Sequence, residues 1–167
     1  KEFLTDWLGQ RKVVQDKLAG YAHALIFWGF LMLVSDVIDL GTGGLFAKFL
    51  EKIYLANVWN LVVDIGYTMA GIGILVALYR RLIVRPEKLK GTSMEGVLIL
   101  FAILGIVITA FIVEAGYMIG DNAHYNYWEP IGVLFAKQME NINTETLATV
   151  IDASYWIHMV LIGLFLI

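Results

Sequence analysis

Two histidines stand in strongly apolar surroundings, His23 in "GYAHALIFWGF" and His158 in "ASYWIHMVLIGLF". A neutral imidazole carries one N–H donor and one lone pair, and in hydrocarbon it is costly unless both are used. It can hydrogen-bond across helices as packing glue, or it can bind a metal centre through the lone pair. Axial ligation of haem iron is the sharpest chemistry of the second kind. On a helix, Gly20 at i−3 and Phe27 and Phe30 at i+4 and i+7 share the face of His23. A small residue beside the ring and aromatics above it suit a flat macrocycle. His158 shares its face with Ser154, Ile162 and Phe165. One histidine per helix leaves both readings open.

Carboxylates form the second set. Asp36, Asp39, Asp64, Glu114 and Asp152 all fall near or inside apolar segments, with Asp64 in "NLVVDIGYTMAG" and Glu114 in "FIVEAGYM" set deepest. A buried acid in such a place can exchange protons with a quinone. Helix capping, interfacial solvation and hydrogen bonding within the bundle are the structural alternatives. Arg11, Lys12, Arg80 and Arg81 could pair with haem propionates, or serve only as charged anchors at the membrane surface.

The elements that position these residues follow from hydropathy. Hydrophobic residues make up 59% of the 167, and cysteine is absent. With a mean hydropathy of +0.73, the chain matches a polytopic membrane protein rather than a soluble domain. Without cysteine it holds no disulfide, thiolate-bound zinc, iron–sulfur cluster or thiol nucleophile of its own. Four stretches, near 19–40, 57–79, 95–119 and 149–167, reach the length of about 20 residues that a helix needs to cross hydrocarbon. The expected fold is an all-α membrane bundle. A segment of 1–18 precedes it, and 19–167 forms the membrane domain. Because the last apolar run is still in progress at Ile167, the chain is expected to continue beyond it.

Basic residues orient the bundle. Lys1, Arg11, Lys12 and Lys17 precede span one, and Arg80, Arg81, Arg85, Lys88 and Lys90 lie between spans two and three, nine of the twelve in all. Lys48, Lys52 and Lys137 share the opposite loops with Asp121, Glu129, Glu140 and Glu145. The excess marks the cytoplasmic face, so both ends are expected inside. Trp59 and Trp128 then anchor the outer boundary and Tyr79 the inner one. In "GTGGLFAKFLEKIYLANVW", Gly41, Gly43 and Gly44 end span one, and the apolar residues mixed with Lys48, Glu51 and Lys52 read as a short interfacial helix. A second begins near Pro130, with Thr144 as a cap for the approach to span four. The basic residues are explained by topology, which excludes nucleic acid as a partner.

The stretches "GQRKVVQDKLAGYAHALIFWGFLML", "LYRRLIVRPEKLKGT", "FIVEAGYMI", "YWEPIGVLFA" and "YWIHMVLIGLFLI" occur in one order. Together they resemble the membrane domain of heterodisulfide-reductase-related iron–sulfur oxidoreductases, which is similar to the gamma subunit of respiratory nitrate reductase. The resemblance covers nearly the whole chain. It implies a cytochrome b module of a prokaryotic cytoplasmic membrane, carrying one or two b haems. Gly20, His23, Phe27 to Phe30, Trp156 and His158 would belong to the haem-binding helices. Electrons would pass between a cytoplasmic iron–sulfur domain, with [4Fe–4S] clusters outside this chain, and a membrane quinone such as menaquinone. An electron-transfer flavoprotein or another soluble donor is the implied partner.

Depth separates the two histidines. His23 lies about 5 Å inside the inner boundary and His158 nearer mid-bilayer, a vertical gap on the order of 10 Å. One haem needs ligands at nearly equal height, so His23 is expected to pair with a histidine following Ile167. No histidine on span one matches the depth of His158, where Met32 and Leu33 stand; Met32 or His124 could serve, or the second haem is lacking. The rival readings are a haem-free membrane anchor and a transporter in which Asp64 and Glu114 line an ion path.

Overall fold

The computed structural model describes residues 17–42, 45–85, 94–120 and 125–166, without the side chains of 35–41, 165 and 166. Lys1, Arg11, Lys12, Gly43, Gly44, Lys88, Lys90, Asp121, His124, Ile167 and the carboxylates of Asp36 and Asp39 thus lie outside the described residues.

Every regular element among the described residues is helical. They are α1 (Lys17–Gly41), α2 (Leu45–Lys52), α3 (Ala56–Tyr79), α4 (Glu95–Gly120), α5 (Pro130–Met139) and α6 (Thr144–Leu166). Four of these, α1, α3, α4 and α6, are long and apolar enough to cross a membrane. Helix is the natural solution there, because it satisfies each backbone N–H and C=O within its own segment. The expected spans agree with them closely, except that α6 starts five residues before position 149. The reason is local. Asn143 Oδ1 accepts the Thr146 N–H at 2.9 Å, so Asn143, not Thr144, caps the helix. At the other end of the bundle α3 passes into a π-helical turn, Arg80–Val84. Arg85 ends it in the left-handed region at φ 43°, donating its backbone N–H to the Arg80 carbonyl at 2.9 Å.

The end of the bundle with Lys17, Arg80, Arg81 and Arg85 is here called the basic end, and that with α2, α5 and the start of α6 the acidic end. Helix α1 packs on α3, α3 on α4, and α4 on α6, whereas no packed interface joins α1 to α6 among the described residues. Small residues bring α1 and α3 together. A Cβ on Gly29 would stand 2.7 Å from both the Ala70 nitrogen and the Gly66 carbonyl oxygen. One on Gly73 would stand 2.8 Å from the Ala22 carbonyl oxygen. The Gly66–Ala70–Gly73 stripe thus permits backbone contact, the form of association that suits helices in lipid.

The two short helices differ from each other. Helix α2 buries only Leu50, leaves Leu45 and Phe49 exposed, and sets Phe46 edge-on to Trp59 at 5.2 Å, as an interfacial helix should. Helix α5 instead inserts. Gly132, Val133, Ala136 and Met139 are buried, and Phe135 stacks on Phe111 of α4 at 5.1 Å. Its apolar face is therefore covered by protein at the acidic end.

Replacing Gly29 by alanine forces backbone apart, for which overpacking costs of about 1–3 kcal/mol are typical. Gly29→Ala is expected to lower the melting temperature of the protein in detergent. Gly163→Ala, where an added Cβ meets nothing within 4 Å, should leave it unchanged or raised. Equal melting of the two variants would contradict the close α1–α3 contact.

Candidate functional site

His158 sits in the seam between α6 and α4. Leu147, Ile151, Ser154, His158 and Leu161 follow a seven-residue repeat along α6, and Ile151 and Leu161 close on Gly116 and Gly105 of α4. The half-buried imidazole makes both its polar contacts through Nδ1, to the Ile106 carbonyl oxygen at 3.1 Å and the Thr109 hydroxyl at 3.0 Å. A carbonyl can only accept. Nδ1 therefore carries the proton, and Nε2 keeps its lone pair.

His23 occupies a different environment. Ala22, Ile26 and Gly29 form the contact of α1 with α3, and His23 lies about 100° round the helix from Ala22, on an exposed flank with Phe30 and Val34. No hydrogen bond to it is recorded among the described residues. Gly20 is buried and Phe27 partly so, its ring edge-on to Trp28 at 5.8 Å. The bundle does not bring the two histidines together. Gly73 meets Ala22 and Ile26, Gly71 meets Val107, and His158 meets Ile106 and Thr109. That register sets His158 about one helical turn, on the order of 5 Å, closer to the acidic end than His23. The offset is smaller than sequence counting suggests. Because helical side chains lean toward their own N-termini, and α1 and α6 run oppositely, the rings are further apart than the backbones.

The acids do converge. Asp64, 1% exposed, accepts the Gly132 N–H at 2.9 Å and the Ile131 N–H at 3.2 Å. Those are the first free N–H groups of α5, since Pro130 has none, so a carboxylate from α3 caps a helix 67 residues away. Gly132 also lets Glu114 close in, because an added Cβ would stand 3.0 Å from its Cδ. Glu129, buried just before Pro130, completes the group, sharing hydrogen bonds with Glu114, Asn126 and Asn60. A hydrogen bond between two carboxyl groups requires a proton on one of them. Burial, the largest influence, pushes Glu129 above the ordinary glutamate range, and the charge of Asp64 pushes in the same direction. Asn126 holds the turn, donating to Glu129 Oε1 at 2.6 Å and accepting the Trp128 N–H at 3.2 Å.

Asp152 is exposed near the start of α6, outside this cluster. The Arg81 guanidinium packs over Gly96 at the start of α4, and both Arg80 and Arg81 have interaction partners in the bundle. Arg81 is thereby committed to the α3–α4 side. Sequence reasoning passed over Thr109, Asn60, Asn126 and the role of Glu129. A lone hydroxyl in the apolar run "LGIVITAF" and an acid immediately before Pro130 were the available signals. Among the described residues no group of three His, Asp or Glu side chains is arranged to hold a metal ion.

The raised Glu129 has a pH signature. Above the ordinary glutamate range the unfolded chain releases a proton that folded Glu129 still holds, so its contribution to stability falls as pH rises until the folded carboxyl ionises. Melting in detergent is expected to decline across that interval, and Glu129→Gln to flatten the decline. An equally steep decline in the variant would remove Glu129 as its cause.

The chain is 28% identical over 169 residues to the EtfAB:quinone oxidoreductase of Syntrophomonas wolfei subsp. wolfei, covering 94% of this chain and 23% of that protein. It is 26% identical over 162 residues to the probable iron-sulfur-binding oxidoreductase FadF of Bacillus subtilis, covering 95% of this chain and 23% of that one. It spans about a quarter of the length of these curated relatives. No family model and no solved structure matches it. The chain is thus a helical protein with four helices among its described residues able to span a membrane, similar to one part of two proteins named as oxidoreductases, one linked by name to quinone and the other to iron–sulfur binding.

Proposed function

We propose that this chain is the b-haem membrane module of a quinone-linked iron–sulfur oxidoreductase, with its basic end facing the cytoplasm. The observation that carries the reading is the oriented imidazole of His158, whose Nδ1 is held by α4 while Nε2 keeps a lone pair. That is the form in which histidine binds iron, and orientation of the ligand through its other nitrogen is the usual companion of such binding. The donor set fits haem, because that group would bring its own ring nitrogens and ask of the protein only an imidazole lone pair such as that of His158. His23, on a flank without a recorded hydrogen bond, suits a second, separate ligand position. When bound, haem supplies a one-electron carrier, and the protein's part is to hold it at a set depth and potential.

The names of the relatives extend the reading to partners. EtfAB and quinone appear in one, iron–sulfur binding in the other, which supports an electron-transfer flavoprotein as donor, iron–sulfur centres outside this chain, and quinone as the membrane partner. Proton exchange with quinone falls to the acidic end. Glu114 and Glu129 share a proton there, and Asp64 anchors the helix that holds them in place. His23 and His158 would hold the one-electron carriers at two depths between the basic and the acidic end. A second reading, a haem-free anchor, draws on the same Nδ1 contacts as plain interhelical glue.

A reduced-minus-oxidised spectrum of the purified membrane protein separates the two, since b-type bands are expected only from the first. His23→Ala and His158→Ala should each lose haem while still inserting into the membrane. Full haem content in both would leave the anchor. Glu114→Gln is expected to cut quinone-linked turnover about 100-fold or more with haem retained, the scale of a lost acid–base group, and Asp64→Asn to lower it by loosening the cap of α5. Full turnover in both would move the quinone site away from the acidic end.

A further inference from the structure

We propose that Thr109 is the positioning residue for His158, fixing, together with the Ile106 carbonyl, the plane of the imidazole whose Nε2 meets iron. The inference rests on the haem reading above and goes beyond it to a residue on a different helix. Thr109 is 8% exposed, in the middle of α4, and its hydroxyl lies 2.7 Å from the Gly105 carbonyl oxygen and 3.1 Å from that of Ile106. Its single proton goes to Gly105, the shorter contact and the common back-bond of threonine within a helix. The hydroxyl oxygen is then left to accept, and the donor it faces is His158 Nδ1–H at 3.0 Å. The Ile106 carbonyl accepts the same N–H at 3.1 Å. The reverse assignment, with Thr109 donating to a bare Nδ1, would set that nitrogen's lone pair against the Ile106 carbonyl oxygen.

Two acceptors three residues apart on α4 define a direction, where one alone would leave the ring free to rotate about the bond. Threonine suits the task because its branched Cβ restricts χ1 in a helix and its back-bond holds the oxygen in place. Electron density donated to Nδ1–H raises the basicity of Nε2, strengthening its bond to iron and favouring the oxidised state. Thr109 thus acts on affinity and on reduction potential through His158, without touching the haem.

The test compares Thr109→Val, which keeps the branched shape and removes the acceptor, with Thr109→Ser, which keeps the acceptor. It is carried out on the haem-loaded membrane protein, with His158→Ala alongside. Removal of such a supporting group typically weakens metal binding about 10–100-fold. Thr109→Val is expected to show haem retention against a competing apoprotein weakened on that scale. Its haem should also show a raised midpoint potential and a broadened low-spin electron paramagnetic resonance signal. Thr109→Ser should restore all three. If His158→Ala loses the haem while Thr109→Val keeps wild-type retention, potential and signal, the positioning role is overturned and the haem reading survives. If His158→Ala keeps every haem, His158 is not a ligand and this role falls with it, while the haem reading rests on His23. Nitrogen-15 spectra of histidine-labelled protein made without haem add a readout independent of the cofactor. There, an Nδ1–H signal of His158 that shifts in Thr109→Val and returns in Thr109→Ser supports the proposal, and a signal unchanged by Thr109→Val, or the Nε2–H form in the wild type, overturns it.

Discussion

Hydrocarbon offers no hydrogen bonds, and that constraint governs this molecule from its backbone to its side chains. Four helices close their own ladders, and each polar group drawn inside must find a partner in the protein. Thr68 and Thr109 turn their hydroxyls back to carbonyls one turn earlier, at 2.9 and 2.7 Å. Asp64 takes the open N–H groups of α5, and His158 spends Nδ1 on α4. Each of these contacts satisfies a polar group and at the same time fixes one helix against another. The candidate chemistry is therefore built from the groups that the membrane forces into definite positions.

Dispersion and small residues supply the contact surface on which that network rests. The Gly66–Ala70–Gly73 stripe draws α1 against α3, and Gly105 and Gly116 admit Leu161 and Ile151 of α6 against α4. In the centre, Tyr67, Phe111 and Phe135 join α3, α4 and α5 through ring contacts at 5.6 and 5.1 Å. Seated by those rings, α5 presents its N-terminus to Asp64, and Glu114 and Glu129 come together beside it. The acidic cluster is thus a product of packing: helix dipole and carboxylate compensate each other where neither would be tolerated alone. On the far side, the flank of α1 with His23 and the exposed face of α6 with Trp156 and Val160 carry the apolar surface that meets lipid or further partners.

The two histidines illustrate how one residue type takes two roles in one bundle. His158 is held in a seam between helices, with ring direction and tautomer determined by α4. His23 stands about a quarter turn away from the α1–α3 contact, exposed among the described residues. A ligand at the first position has its geometry set in advance, as preorganised sites require. At the second, geometry depends on whatever completes the surroundings of α1.

Hydropathy alone was enough to determine the helical class of this chain and the extent of its long helices. Four apolar runs of spanning length can only be helices in lipid, and α1, α3 and α4 begin and end within two residues of the runs read from sequence. The histidines and the deep acids were legible as exceptions to hydropathy, since a polar group in such a run needs a cause. What the tertiary structure alone decided is what each exception touches. Asp64 and Glu114 are fifty residues apart, and Glu129 belongs to a turn whose inward seat depends on α5 docking against Phe111. Thr109 and His158 are 49 residues apart on antiparallel helices, and their register follows from which faces interlock. Asn143 rather than Thr144 caps α6 because of a difference of one residue in backbone geometry. Periodicity along one helix says which residues share a face, but it carries no term for the neighbour against which that face closes.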